Sequence, residues 1–346
     1  MKLLRLFVLS LLAFAFQVAP LTAQNKAQSG YKIVKKVTLG GEGGWDYLTI
    51  DSGARRLYVS HATHVVVVDA DSGQIIGDIP DTAGVHGIAV ATDFNRGFVS
   101  NGRDNSVTVF DLKTLKAIKK IAVGTNPDAI IYDPASKRVF AFNGKSHDAS
   151  IIDPKTETVV GSVALSGKPE FAVSDGKGKI FVNIEDKNEI VALDANKLKV
   201  LASYSLAPCD EPSGLAFDPK TERLFSVCSN KMMMVVSAKT GKIVAQVPTG
   251  DGTDAAGFDV ANNLIFSSNG EGTLTVIKEE SPEKFSVVEN VPTQKGARTM
   301  AFDPKTGQVY LVTAEFGETP AATAENPRPR PALKPDTFTL LILSKK

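Results

Sequence analysis

One short pattern returns seven times along the chain, about every forty residues. It reads Trp45-Asp46-Tyr47-Leu48-Thr49-Ile50-Asp51, then Val85-His86-Gly87-Ile88-Ala89-Val90, Pro127-Asp128-Ala129-Ile130-Ile131-Tyr132-Asp133 and Pro169-Glu170-Phe171-Ala172-Val173. Pro212-Ser213-Gly214-Leu215, Thr253-Asp254-Ala255-Ala256 and Ala297-Arg298-Thr299-Met300 open the remaining copies. Three further runs rich in Val, Ile and Phe follow each opening, separated by Ser-Gly, Asp-Ser-Gly or Asp-Pro-Lys-Thr turns. Sustained helical periodicity is absent beyond the N-terminal segment. Four strands per repeat therefore predict an all-β chain.

A four-stranded sheet that is apolar on both faces must be covered on both faces. A radial array of seven satisfies every sheet, so the expected fold is a seven-bladed β-propeller. Its ends predict the closure. Tyr31 to Leu39 is a strand without a repeat of its own, and the last repeat lacks a fourth strand after Phe338 to Leu343. The N-terminal strand supplies that missing edge. Residues 31–346 are expected to form one domain, with a Pro-rich insertion at 317–336 in the seventh repeat.

Second-strand ends read Tyr58-Val59-Ser60-His61, Phe98-Val99-Ser100-Asn101, Phe140-Ala141-Phe142-Asn143 and Phe266-Ser267-Ser268-Asn269. These resemble the Tyr-Val-Thr-Asn signature of the YVTN-repeat β-propellers, over nearly the whole mature chain. Repeats 4, 5 and 7 depart from it, with Phe181-Val182-Asn183-Ile184, Phe225-Ser226-Val227-Cys228 and Tyr310-Leu311-Val312-Thr313. The chain is similar, more distantly, to seven-bladed lactonases and to lyase-type propellers that inactivate cyclic peptides. The resemblance implies a fold and leaves the reaction open, because function resides in sites grafted on folds.

Antiparallel neighbours bring the start of each first strand and the end of each second strand to one mouth of the channel. That mouth should collect Asp46, His86, Asp128, Glu170, Asp254 and Arg298, together with His61, Asn143, Asn183 and Asn269. Glu315 stands at the base of the insertion. Crowded carboxylates there need a cation, protonation or Arg298 to relieve their repulsion. Two chemistries follow. Asp46, Asp128, Glu170, Asn143, Asn183, Asp254, Asn269 and Glu315 could bind a small molecule, an ion or a protein partner. Alternatively, Asp128, Glu170 and Asp254 could hold a divalent cation (calcium, magnesium or zinc) that polarises the carbonyl of a cyclic ester. In that version His86 or His61 moves the proton and Arg298 steadies the developing negative charge. A polar cap filled by water and a non-catalytic interaction scaffold are the remaining alternatives. Arg328 and Arg330 of the insertion are placed to meet an anionic group over the opening.

Composition narrows the field. Four histidines and two cysteines exclude a zinc-finger array or a disulfide-rich miniature scaffold. Met232-Met233-Met234 enters a strand, where neighbours face opposite sides, so it is expected to pack and not to bind a soft metal. Lys2 and Arg5, the apolar run Leu6 to Phe16 and the small residue Ala23 read as a cleavable signal peptide over residues 1–23. Export to the periplasm or beyond then permits a Cys209–Cys228 disulfide. Without Lys2 and Arg5 the chain carries 37 basic against 38 acidic residues, with the lysines interspersed. Nucleic-acid binding gains no support from that charge, and no stable membrane insertion is expected. The expected state is a monomer with a small-molecule or protein partner at the mouth.

Overall fold

The computed structural model describes residues 28–321, 323, 329 and 331–345. The signal-peptide segment, and Arg328 and Arg330, lie outside the described residues.

Second and third strands form the inner body of each sheet. Arg56–His61 and His64–Asp69 in blade 1 show why: Leu57, Tyr58, Val59 and Val65 to Val68 are all buried, so both faces carry apolar residues. Each face packs against the next blade, and the buried residues group into clusters that each bridge a seam. Tyr58 and Val67 of blade 1 join Val99 and Phe110 of blade 2, for example. Met233 and Met234 are both fully buried but belong to the seams on opposite sides of blade 5. They pack, as alternation along a strand requires.

Fourth strands are the outer edges and carry solvent-facing charge, as in Ala117–Ala122 with Lys119 and Lys120. Charged edges discourage pairing with another chain. Among the described residues there are seven four-stranded antiparallel sheets and only two single-turn helices, Thr92–Phe94 and Glu185–Lys187. The seventh sheet runs in the order Tyr31–Thr38, Thr339–Lys345, Gln308–Thr313, Met300–Asp303. Tyr31 lies opposite Lys345 and Thr38 opposite Thr339. The N-terminal strand therefore closes the ring.

Cys209 and Cys228 are bonded, with Cα atoms 5.5 Å apart across 19 positions. Cys209 precedes the first strand of blade 5 and Cys228 ends its second, so the bridge pins the upper rim of one blade. Both are buried in the seam with blade 4. Cys209→Ala with Cys228→Ala is expected to lower stability by about 3 kcal/mol on the loop-entropy estimate. A urea midpoint unchanged from that of the oxidised wild type would refute this.

Candidate functional site

The channel residues owe their direction to a repeated irregularity. In blades 2 to 6 the pairing of first and second strands slips just after the first residue: between Val85 and Ile88, Pro127 and Ile130, Pro169 and Ala172, Pro212 and Leu215, and Thr253 and Ala255. The slipped residues include His86, Asp128, Glu170, Ser213 and Asp254. A β-bulge re-aims a side chain while freeing backbone groups from the ladder. The second strands recover those groups across the seams. Ser100 Oγ donates to Asp128 O at 2.5 Å, Ser268 Oγ donates to Arg298 O, and Asn183 Nδ2 donates to Ser213 O at 2.7 Å. Thus the strand-end Ser or Asn of one blade tethers the opening of the next blade's first strand, a bulge in blades 3 and 5 and the strand's lead-in at Arg298 in blade 7.

Bulge and tether together build a closed floor. Tyr47 of blade 1 and Phe171 of blade 4 meet across the axis with ring centroids 5.2 Å apart. With Asp46, Glu170 and Asp254 they surround a cavity of about 10 Å³, at the limit for a single water. Above this plug opens a basin of about 830 Å³, lined by Trp45, Asp46, His86, Arg103, Lys145 and Arg298 among others.

His86 is the centre of the floor. Its Nδ1 lies 2.6 Å from Asp46 Oδ2 and 3.6 Å from Asp128 Oδ1. Burial pulls the imidazole pKa down, but the hydrogen bond to Asp46 and the charge of Asp128 more than offset it, so the net shift is upward. Asp128 is buried, and its Oδ1 has no hydrogen-bond partner. Burial, then the charge of Asp46, pushes its carboxyl up to about 7. Glu170 is raised well above its ordinary value by burial and by Asp128, with Lys168 opposing at 3.4 Å. Asp254 is pushed up to about 6 by burial, which the charge of Arg298 only partly offsets. Arg298 Nε lies 3.1 Å from its Oδ2.

Asp46, His86 and Asp128 are brought together, with donor atoms within 4.8 Å of one another. Glu170 and Asp254, expected beside Asp128 as metal ligands, each face a cation instead. His61 is buried, stacks on Phe338 with centroids 4.2 Å apart, and is separated from the His86 group. Burial, then the charge of His64, lowers its pKa to about 4, so it stays neutral. Asn143 Nδ2 donates to Asp148 and Ser150, and Asn269 Nδ2 to Thr273 and Thr275, within their own blades. Asn183 is the tether described above. Glu315 pairs with Lys334 at 3.0 Å, at the insertion's base. Lys168 was not anticipated. It touches Glu170 and Glu185, and its one sequence signal is a place directly before Pro169 in a ring otherwise rich in acids.

A family model described as "Cytochrome D1 heme domain" matches residues 56–264. That stretch includes His86, Asp128, Glu170 and Asp254 and leaves out Trp45, Asp46, Arg298 and the insertion. No curated protein sequence matches the chain. Among solved structures, a chain of Kuenenia stuttgartiensis hydrazine synthase is similar, with a TM-score of 0.67 and 18% identity. The alignment covers 78% of this chain and 92% of that one, a likeness of fold.

Proposed function

Because the chain belongs to the cytochrome D1 heme domain family, we propose that the upper mouth binds a small-molecule ligand or prosthetic group, and that His86 is the donor it meets. One observation carries the reading. Asp46 holds the imidazole through Nδ1, and Nε2 lies over Gly102, where a Cβ would come within 2.7 Å of it. The ring nitrogen not held by the carboxylate thus has a cradle that any side chain would fill.

A heme-type group fits this donor set. Iron-ligating histidines ordinarily give their other ring nitrogen to a carboxylate or carbonyl. Arg103, Lys145 and Arg298 line the same basin and suit the carboxylate substituents of such a group. Bound there, the group would supply an iron centre for ligand binding or electron transfer. Asp46 fixes the His86 tautomer, and the Tyr47–Phe171 plug excludes water from below. Hemin titrated into the purified chain is expected to show a saturable shift of its Soret band. His86→Ala should lose that shift, and His61→Ala, altered at a ring packed on Phe338, should keep it. A shift undiminished in His86→Ala removes the reading.

Asp128 favours a second reading. Its partnerless Oδ1 faces His86 and Asp46, a set able to hold a divalent cation in a hydrolase or lyase of the lactonase type. Arg298 would then steady the negative charge developing on a cyclic ester. Elemental analysis decides it: retained calcium, magnesium or zinc that Asp128→Asn releases supports the cation, and its absence counts against it. The likeness to YVTN-repeat propellers rests on the strand-end tetrapeptides. A place outside the cytoplasm is supported by the N-terminal basic and apolar pattern and by the Cys209–Cys228 bond. No helix among the described residues is long and apolar enough to cross a membrane.

A further inference from the structure

Beside the His86 basin lies a second cavity, of about 420 Å³, under the base of the blade 7 insertion. Trp45, Phe316, Pro331 and Leu333 give it apolar walls, and Lys295 and Arg298 stand at its edge. The roof is fastened by backbone. Phe316 and Leu333 form an antiparallel bridge, Gly317 N–H donates to Ala332 O at 2.8 Å, and Lys334 N–H donates to Glu315 O at 2.8 Å. In the side wall Trp45 lies 6.5 Å from Phe316, centroid to centroid, and the buried Phe338, 5.4 Å from Trp45 and outside the lining, supports it. Gly296 adopts φ +82°, and a Cβ there would come within 2.6 Å of the Phe316 ring. The ring therefore sits directly on bare backbone.

Lys295 is not spent on the protein, and Arg298 is spent only in part. Arg298 approaches Asp254 through Nε alone, at 3.1 Å from Oδ2, and its terminal nitrogens have no acceptor among the described residues. Lys295 has no carboxylate partner among the described residues and is exposed. A cavity of this size is in the range of small-molecule sites, which pair apolar walls with a few convergent polar groups. A neutral apolar ligand would leave both charges unused. A bare anion would leave the aromatic walls empty.

We propose that this cavity binds a carboxylate with an aromatic or branched apolar body, the body beneath Phe316 and Leu333 and the carboxylate between Lys295 and Arg298. The site shares Gly44, Trp45 and Arg298 with the neighbouring basin, but of the two Lys295, Phe316 and Leu333 line only this cavity and His86 lines only the other.

Trp45, the sole tryptophan, reports the test directly. Titrating 4-phenylbutyrate into the full chain is expected to change Trp45 emission saturably. The uncharged 4-phenylbutanol should bind about tenfold more weakly, the factor of one charge-assisted hydrogen bond. Lys295→Gln should weaken the acid by about tenfold and leave the alcohol unchanged. Gly44→Leu places its side chain where a Cβ meets nothing within 4 Å, so it should block both ligands without disturbing the fold. His86→Ala should leave both affinities intact. Equal affinity for acid and alcohol, or no saturable change in protein with native near-ultraviolet dichroism, overturns the proposal. Loss of phenylbutyrate in His86→Ala also overturns it, by assigning the ligand to the other basin. Hemin binding, read by absorbance, succeeds or fails separately.

Discussion

Asp303→Ala is expected to lower folding stability by about 3 kcal/mol, against about 1 kcal/mol for Asp153→Ala. Both residues open the same Asp-Pro-Lys-Thr turn on the lower face. Asp153 Oδ1 accepts the N–H of Lys155 at 2.8 Å and of Thr156 at 3.2 Å, and Asp153 pairs with Arg138 within its own blade. Its side chain is 21% exposed, so water can replace what alanine removes. Asp303 caps its turn in the same way, accepting from Lys305 N–H and Thr306 Oγ, but it also reaches across the last seam. Ser52 Oγ donates to it at 2.6 Å and Arg55 Nη1 at 2.5 Å, both from blade 1. Its side chain is fully buried.

Burial alone would push the Asp303 carboxyl up; the hydrogen bonds from Ser52, Arg55 and Thr306 outweigh burial and hold it below the ordinary aspartate range. Removing it leaves the Arg55 guanidinium, 14% exposed, with Asp71 alone. Breaking a buried pair from one side costs about 3–5 kcal/mol, and Asp71 keeps the expected loss at the low end. Urea denaturation of the two variants decides the matter. Equal losses would mean that Asp303 caps a turn and does not latch the ring.

The recurrence that predicts seven blades also predicts which residues begin each first strand, because the ring geometry leaves those residues little freedom. That is why Asp46, His86, Asp128, Glu170, Asp254 and Arg298 were legible as a group. The asparagines were not legible in the same way. Asn143, Asn183 and Asn269 occupy the mouth by position, yet the bulges of neighbouring strands and the following strand take up their amide nitrogens. A bulge depends on pairing register, which a single strand's residues do not display. The same tethering explains why Ser-Asn strand ends recur. The serines answer a backbone need of the next blade, and the asparagines bind hydroxyls of their own third strand, so the pair says little about the bound group.

His61 and His86 were both expected at the channel mouth and are not alike. A stack on Phe338, a residue far along the chain, turns one into a buried neutral ring. Two carboxylates hold the other. The cavity under the insertion was foreshadowed by the insertion's length and attachment point. Of its two cations only Arg298 was, because Lys295 belongs to a loop of no distinctive pattern.

With divalent ions removed by EDTA, the chain is expected to become more stable as pH falls from about 8 to about 5. Burial raises Asp128 to about 7 and Asp254 to about 6, whereas unfolded aspartates ionise near 4. Between those values the folded chain holds protons that the unfolded chain has released. Unfolding then releases protons, so lowering the pH favours the fold. His86 acts in the same direction, because its folded pKa is raised. Its contribution is complete below the unfolded value near 6.5 and is lost as pH rises through the higher folded one.

The neutral ring of His61, lowered to about 4, partly opposes this trend below about pH 6.5, where the unfolded imidazole takes up a proton. Carboxylates held low by hydrogen bonds or cations, such as Asp104, Asp153 and Asp303, oppose it at still lower pH. Their stabilisation is lost only as pH falls below the ordinary aspartate range, so maximal stability is expected near about pH 5. Asp128→Asn keeps the shape, removes a buried carboxylate that has no hydrogen-bond partner at Oδ1, and leaves Asp46 to hold His86. It should raise stability at about pH 8 by about 1–2 kcal/mol and flatten the pH slope. Urea midpoints of both proteins across this range provide the measurement. Wild-type stability that climbs from about pH 5 to about pH 8, or an Asp128→Asn chain weaker than wild type at the upper end, would contradict a mouth that stores uncompensated charge. Such stored charge is what an incoming cationic centre would relieve, and groups tuned this far from their ordinary values cluster where proteins bind and react.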